Sequence, residues 1–101
     1  MNSALTNKLP EVIRILKANH VKRAYAFGSV CTDKFSDQSD IDLLITFEDN
    51  LDPVLQGSIY WVLEEQLQKI LNRTVELVSE HSINNPYFIK TLNKTKTPLY
   101  E

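Results

Sequence analysis

The chain opens with apolar residues at the spacing of a helix. An α-helix brings every third or fourth side chain to one face, and this segment repeats its apolar residues at that spacing, at Leu5, Leu9, Val12, Ile13 and Leu16. We expect one amphipathic helix that ends near Ala18, with Pro10 in its first turn or at its start, where a missing N–H costs no hydrogen bond.

Three later segments show the composition of β-strands. Residues 21–27 alternate, with Tyr25 and Phe27 on one face and Ala24 and Ala26 on the other. Residues 40–47 contain a continuous apolar run, which is typical of a strand buried on both faces in the middle of a sheet. Residues 73–79 form the third predicted strand, in which Glu76 is the polar member of an apolar run.

Two further helices are predicted from their start signals. Asp52-Pro53 and Asn85-Pro86 each combine an N-cap residue with a proline at the first helical position. The first of these helices carries an expected core-facing stripe, at Leu55, Ile59, Val62, Leu63, Leu67 and Ile70. Beside it lie Tyr60 and Trp61, for which we expect a sheet-covering role, with base stacking as the alternative.

The order of these elements predicts an α/β (α+β) domain. It reads α-β-α-β-α-β-α, with a short helix after the first strand and residues 98–100 as a short edge strand. Helices covering a small mixed sheet satisfy this order, and we expect one domain over residues 1–101.

Composition narrows the function classes. The formal net charge is −2, so no broad basic surface for nucleic acid is expected. The single cysteine, Cys31, excludes an internal disulfide and fits a reducing cytoplasm. No motif places a histidine beside Cys31, so it is not predicted to be a nucleophile. The sequence has no apolar run of transmembrane length, and we expect no signal peptide.

Two carboxylates begin the second strand. Asp40 and Asp42 are two residues apart, so they point to one face of a strand and can converge on a cation. Hard oxygen ligands favour Mg²⁺ or Mn²⁺ over zinc. The alternative is a solvated strand edge, but Asp is disfavoured in strands, and an unpaired carboxylate before buried residues is costly.

A Gly-Ser pair ends the first strand. Gly28 lets the backbone turn sharply and lets a ligand approach closely. If Ser29 begins a short helix, its N–H and hydroxyl face an anion, although Ser29 also fits a plain helix cap. No Gly-Lys-Ser/Thr follows, so this is not a P-loop.

Together these residues resemble the nucleotidyltransferase superfamily that includes DNA polymerase β. The shared pattern is Gly28-Ser29, a loop, and Ser39-Asp40-Ile41-Asp42 opening the next strand. The short chain is most similar to minimal nucleotidyltransferases, often antitoxins paired with a HEPN-domain protein. The resemblance implies Asp40, Asp42 and Glu76 as catalytic and metal-binding residues.

The resemblance also implies nucleotide binding by Gly28, Ser29 and Ser39, although Ser39 also fits a turn residue that orients Asp40. Two positions depart from the family pattern. The third carboxylate is Glu76 rather than Asp, and a solvent-facing Glu on an edge strand is the alternative for it. Thr32 and Asp33 stand where many relatives carry Arg-Gly, and Lys34 is a candidate substitute for the missing cation.

The activity that the resemblance implies is Mg²⁺-dependent transfer of AMP from ATP to a protein, with a HEPN-type toxin as partner. At this length we expect no second domain to hold the acceptor, so we expect the acceptor surface to come from a partner or from the acceptor protein itself. Two alternatives stay open: an antitoxin that neutralises by binding alone, which the Thr32 and Glu76 departures favour, and a nucleotide-binding regulator. Self-association is also open.

Overall fold

The computed structural model describes residues 3–32 and 39–101. Helices α1 and α2 are Ser3–Thr6 and Leu9–Ala18, and strand β1 is Val21–Phe27. A 3₁₀ helix, Gly28–Cys31, follows β1, and strand β2 is Ile41–Phe47. The remaining elements are α3 (Pro53–Leu71), β3 (Val75–Ser79), a 3₁₀ turn (Glu80–Ser82), α4 (Pro86–Thr95) and β4 (Thr97–Tyr100).

The described strands form one mixed sheet in the order β3-β2-β1-β4. Strand β1 pairs antiparallel with both β2 and β4, whereas β2 and β3 run parallel. The predicted mixed sheet is therefore confirmed, with β2 in its interior and residues 97–100 as an edge strand. Helix α3 is the crossover that a parallel β2–β3 pair requires.

The two faces of the sheet have different surroundings. One face meets α2 and α3 in the main core, to which β2 contributes Ile41, Leu43 and Ile45, all fully buried. The other face carries a smaller cluster of Phe27, Leu44 and Leu92, with Leu92 supplied by α4. The alternation predicted for β1 is confirmed, because Ala24 and Ala26 join the main core while Tyr25 and Phe27 join the smaller cluster.

The proline-marked helix starts are also confirmed. Pro10 and Pro53 lie in the first turns of α2 and α3. The Asn85 side chain caps α4 by accepting hydrogen bonds from the N–H groups of Tyr87 and Phe88. Asp52 occupies the N-cap position of α3 but makes no capping bond with its side chain.

Two expectations about the helices are wrong. The first helix is not continuous, because residues 7 and 8 form a turn between α1 and α2, and the proline at Pro10 starts a new helix. On α3, Leu55 and Val62 are each 44% exposed and Trp61 is 76% exposed. The sheet is narrow, so α3 covers it with Leu63, Leu67 and Leu71 and leaves those three side chains in solvent.

Within residues 3–32 and 39–101, no helix has both the length and the apolar character needed to cross a bilayer.

Candidate active site

Strand register assembles the candidate site at one end of the sheet. Phe27, the last residue of β1, is paired with Asp42, and Asp42 is paired with Glu76 on the other side. Gly28 follows Phe27 directly, so the Gly-Ser pair lies just beyond β1, and the second Asp and the third carboxylate lie on the neighbouring strands β2 and β3. Gly28 and Asp42 are 14 positions apart in sequence, and Asp42 and Glu76 are 34 apart, yet all three residues meet at this end of the sheet.

Gly28 lies against the Asp42 carboxylate. Its φ of +75° is in the left-handed region that side-chain-bearing residues rarely adopt. A Cβ at this position would come 2.5 Å from Oδ2 of Asp42. The glycine therefore does two things: it makes the turn out of β1 possible, and it leaves room for the carboxylate.

Asp42 is electrostatically perturbed. Burial, the neighbouring charges of Glu76 and Asp40, and a side-chain hydrogen bond with Glu76 raise the pKa of Asp42 from 3.8 to about 6. Each of these causes disfavours the ionised carboxylate. A cation that binds between these groups would reverse the effects of the two neighbouring charges and of the hydrogen bond on the pKa of Asp42. It does so because the cation attracts all of the carboxylates that otherwise repel one another.

The predicted metal ligands are only partly assembled. Asp42 and Glu76 are paired, and Asp40 lies immediately before β2 with an exposed side chain, close enough to act on Asp42 through its charge. Among the described residues, no three His, Cys, Asp or Glu side chains converge as a metal-binding group. The carboxylate oxygens suit Mg²⁺, and a third ligand requires the Asp40 side chain to turn toward the pair.

The predicted phosphate-binding residues lie in the turn after β1. Ser29 is in the 3₁₀ helix Gly28–Cys31, as the sequence led us to expect of a short helix there. Its carbonyl accepts hydrogen bonds from both the N–H and the hydroxyl of Thr32, each at 3.0 Å. Thr32, at the position where the resemblance led us to expect Arg, therefore closes this turn. Asp33 and Lys34 lie outside the described residues.

Ser39 is held by a residue that sequence reasoning missed. Nη1 of Arg73 donates to the Ser39 carbonyl at 3.2 Å and so fixes the backbone immediately before Asp40. A second anchor is the bond from the Ile41 N–H to the Thr74 carbonyl, at 3.0 Å. Arg73 gives no motif signal, because its role depends on the parallel β2–β3 pairing that brings residue 73 beside residue 39.

A polar cluster at the far end of the same sheet face was also not predicted. The Arg23 guanidinium donates to both carboxylate oxygens of Glu80, at 3.3 and 3.4 Å, and the Thr46 hydroxyl donates to the same carboxylate. Thr46 is 2% exposed, so its hydroxyl needs this partner. Sequence reasoning had assigned no contact to any of these three residues.

The sequence model of the family described as "Polymerase beta, Nucleotidyltransferase" matches residues 10–101. This chain belongs to that family. The family resemblance drawn from Gly28-Ser29 and the Asp40/Asp42 pair is thus confirmed, and the chain is a nucleotidyltransferase.

Related sequences of similar length extend this finding. The chain is 36% identical over 93 residues to a protein of Methanocaldococcus jannaschii named "Putative protein adenylyltransferase MJ1379", a match that covers 87% of this chain and 91% of that protein. A second protein of the same organism, carrying the same kind of name, is 33% identical over 82 residues, with 80% of each chain covered.

Solved structures confirm the nucleotidyltransferase fold. A structure described as a "putative minimal nucleotidyltransferase" superposes with a TM-score of 0.72 at 24% identity, covering 93% of this chain and 91% of that one. A toxin–antitoxin structure with AMP-PNP also superposes with a TM-score of 0.72 at 24% identity, covering 91% of this chain and 72% of that chain. A complex of tri-AMPylated Shewanella oneidensis HEPN toxin with MNT antitoxin superposes with a TM-score of 0.66 at 23% identity, covering 94% of this chain and 71% of that chain.

Proposed function

We propose that this chain transfers AMP from ATP to a hydroxyl group of a partner protein, in a reaction that requires Mg²⁺. The observation that carries the proposal is the strand register, which sets Gly28 beside Asp42 and Asp42 beside Glu76. Support for AMP and for a protein acceptor comes from the names of the relatives in Methanocaldococcus jannaschii.

Gly28, Ser29 and Ser39 are the proposed nucleotide-binding residues. The bare backbone of Gly28 allows close approach of a phosphate, and the Ser29 hydroxyl supplies a donor for it. Ser39 contributes through its backbone, since Arg73 fixes its carbonyl and thereby the position of Asp40. Holding the triphosphate on the β1 side of Asp42 directs the pyrophosphate leaving group away from Glu76.

Asp40, Asp42 and Glu76 are the proposed catalytic and metal-binding residues. When bound, Mg²⁺ would neutralise charge on the triphosphate and lower the pKa of an attacking hydroxyl. Asp42 lies between the other parts of the site, so it orients both the nucleotide side and the acceptor side. Glu76, which is exposed and paired with Asp42, would accept the proton of the acceptor hydroxyl.

The acceptor would come from a partner. We propose a HEPN-type toxin, with this chain as its antitoxin in the cytoplasm, where ATP and Mg²⁺ are plentiful. Support comes from shape, because the complex of a HEPN toxin with an MNT antitoxin and a second toxin–antitoxin structure share this fold. We retain the expectation that residues 1–101 act as one nucleotidyltransferase domain.

A binding-only antitoxin is the second candidate. Two observations favour it: Thr32 closes the turn at the position where relatives carry a cation, and no three-carboxylate metal group is formed among the described residues. In this case the chain would neutralise its partner by contact alone and would retain only the fold and a weakened nucleotide site.

One labelling experiment separates the candidates. Purified protein, Mg²⁺ and host lysate are incubated with ATP labelled at the α-phosphate, and in parallel with ATP labelled at the γ-phosphate. AMP transfer predicts a protein band labelled from the α-position alone and absent with Asp42→Asn. If the partner is confirmed to be present and no band forms, the binding-only candidate replaces the proposal.

A further inference from the structure

A cavity lies on the catalytic face of the sheet, beyond the carboxylates. Its volume is about 240 Å³, and its walls come from β2, the turn after β3, and α4. Apolar side chains form most of its wall, at Leu44, Ile83, Ile89 and Leu92, and Glu80, Asn93 and Lys96 add polar groups. None of the proposed catalytic or nucleotide-binding residues lines it.

Strand geometry fixes where this cavity lies relative to the chemistry. Leu44 follows Asp42 by two residues on β2, so the two side chains point to the same face, about 7 Å apart along the strand. Burial agrees with this, because Leu44 belongs to the cluster with Phe27, whereas Leu43 and Ile45 belong to the main core on the opposite face. The cavity is therefore one step along the catalytic face from Asp42.

The geometry of phosphoryl transfer determines on which side of Asp42 the acceptor hydroxyl lies. The attacking and leaving oxygens are roughly in line across the reacting phosphorus. In the proposed function the pyrophosphate leaves on the β1 side, at Gly28-Ser29, so the hydroxyl must attack from the β3 side. In the order β3-β2-β1-β4 the cavity spans β2. One wall is α4, whose Leu92 packs with Phe27 of β1, and the other is the segment after β3, at Glu80 and Ile83. The cavity therefore reaches the β3 side, from which the hydroxyl attacks.

We propose that this cavity receives an apolar side chain of the acceptor protein, two residues away from the hydroxyl that is modified. An extended segment repeats its side-chain direction every two residues, over about 7 Å, which is the spacing from Asp42 to Leu44. An apolar cavity of roughly 150 Å³ holds a benzene molecule, so this one has room for a leucine or an aromatic ring. The proposal rests on the proposed function and adds a specificity determinant to it.

The polar residues of the cavity support an apolar guest rather than a charged one. Glu80 already accepts from Arg23 and Thr46. The ammonium group of Lys96 lies 4.8 Å from the centroid of the Tyr25 ring. With both charges engaged by the protein, the apolar wall is the surface left for recognition.

The test uses peptide arrays of nine residues with a central Tyr, Ser or Thr in an alanine background, and ATP labelled at the α-phosphate. Every residue type is placed two positions before, and separately two positions after, the hydroxyl. We expect Leu or Phe at one of these positions to increase AMP incorporation at least tenfold over Ala or Lys. The same position should be preferred for every labelled hydroxyl.

Variants of the cavity test the assignment of that preference. Ile89→Trp fills the cavity from α4, and Asn93→Trp fills it from a second, exposed position in case the first variant fails to fold. The matched control is Val62→Trp on α3, since Val62 is 44% and Ile89 41% exposed. We expect both cavity variants to lose the tenfold preference and to keep transfer to all-alanine flanks within twofold, whereas Val62→Trp behaves as wild type.

Each other outcome overturns the proposal in a recognisable way. Labelled peptides with no apolar preference, or a preference that the cavity variants keep, exclude the cavity as an acceptor subsite. A higher Kd for Mg·ATP in Ile89→Trp would make it a nucleotide subsite instead. If a lysate protein is labelled but no peptide is, equal labelling of that protein by wild type and by Ile89→Trp refutes the assignment of the cavity as an acceptor subsite. No labelling of any acceptor refutes the proposed function, and this proposal with it.

Discussion

Replacing Gly28 by alanine tests the site at its tightest contact. The new Cβ would lie 2.5 Å from Oδ2 of Asp42, well inside the normal separation of a carbon and an oxygen atom. The carboxylate must therefore move by roughly 1 Å or the turn after β1 must open. The backbone adds a second penalty, because φ is +75° at this position.

The magnitude follows from these two terms. A side chain in the left-handed region costs about 1–2 kcal/mol, and the displaced carboxylate adds to this, so we expect a total near 2–3 kcal/mol. In a domain of this size 1 kcal/mol lowers Tm by about 4–8 °C, so Gly28→Ala should melt at least 8 °C below wild type. A misplacement of about 1 Å in an active site also reduces turnover by roughly 10²-fold.

The assay is thermal or urea unfolding, followed by AMP transfer at a temperature where all variants are folded. Gly57→Ala is the matched control, because a Cβ there meets nothing within 4 Å and the residue lies inside α3. It should stabilise the protein by about 0.5–1 kcal/mol through the higher helix propensity of alanine. Its transfer activity should equal that of wild type.

A double variant separates the two penalties. Asp42→Ala removes the carboxylate that the new Cβ would meet, so adding Gly28→Ala to it should cost only the backbone penalty of about 1–2 kcal/mol. The reasoning is refuted if Gly28→Ala is as stable as Gly57→Ala. It is also refuted if the cost of Gly28→Ala is the same with and without Asp42, since the close contact would then contribute nothing.

Three further predictions concern charge and exposure. Folding raises the pKa of Asp42 from 3.8 to about 6, so the protonated carboxyl contributes to stability below pH 4, and this contribution is lost as the pH rises through about 6. Because solvent screens the partly exposed carboxyl, we expect the contribution to the unfolding free energy to be about 1–2 kcal/mol. Melting of the Mg²⁺-free protein between pH 4 and 7 should show this loss relative to Asp42→Asn, and a Tm difference that does not change with pH would contradict it. Asp42→Asn should abolish AMP transfer with Tm at pH 7 equal to or above wild type, measured without Mg²⁺; full turnover would remove Asp42 from the site. Trp61→Lys should change the unfolding free energy by less than about 0.5 kcal/mol, because Trp61 is 76% exposed, and a urea-melt loss above 2 kcal/mol would show a packing role.

The sequence predicted the sheet well because strand signals here are local. The apolar run at residues 43–45 identified the interior strand, and alternation identified the two faces of β1, both of which depend only on near neighbours in the chain. Proline positions likewise set the starts of α2, α3 and α4 within a residue. Whether Asp40 and Asp42 act as metal ligands is still a prediction.

The failures have a different physical origin. A helical stripe records which side chains can share a face, but the width of the sheet beneath decides how many of them are covered. Leu55 and Val62 fit the stripe by spacing, and Trp61 lies beside it. All three remain exposed because α3 contacts the sheet through Leu63 and Leu67 instead. Arg73 was missed for a related reason, since its bond to Ser39 spans 34 residues of sequence and exists only after β2 and β3 have paired.

The two faces of β2 have different roles: one packs in the main core, and the other carries the proposed catalytic carboxylate. Ile41, Leu43 and Ile45 are fully buried in the main core, so the strand is anchored from one side by apolar packing. Asp42, Leu44 and Thr46 point to the other side, where a carboxylate, a cavity wall and a hydrogen-bonded hydroxyl succeed one another along the strand. Because alternation couples the two sets, a one-residue shift in register would bury Asp42 and expose Leu43. The packing that stabilises the fold therefore also fixes the position of the proposed catalytic carboxylate. Substitutions in the proposed acceptor cavity, on the other face, should then alter specificity without loosening that packing.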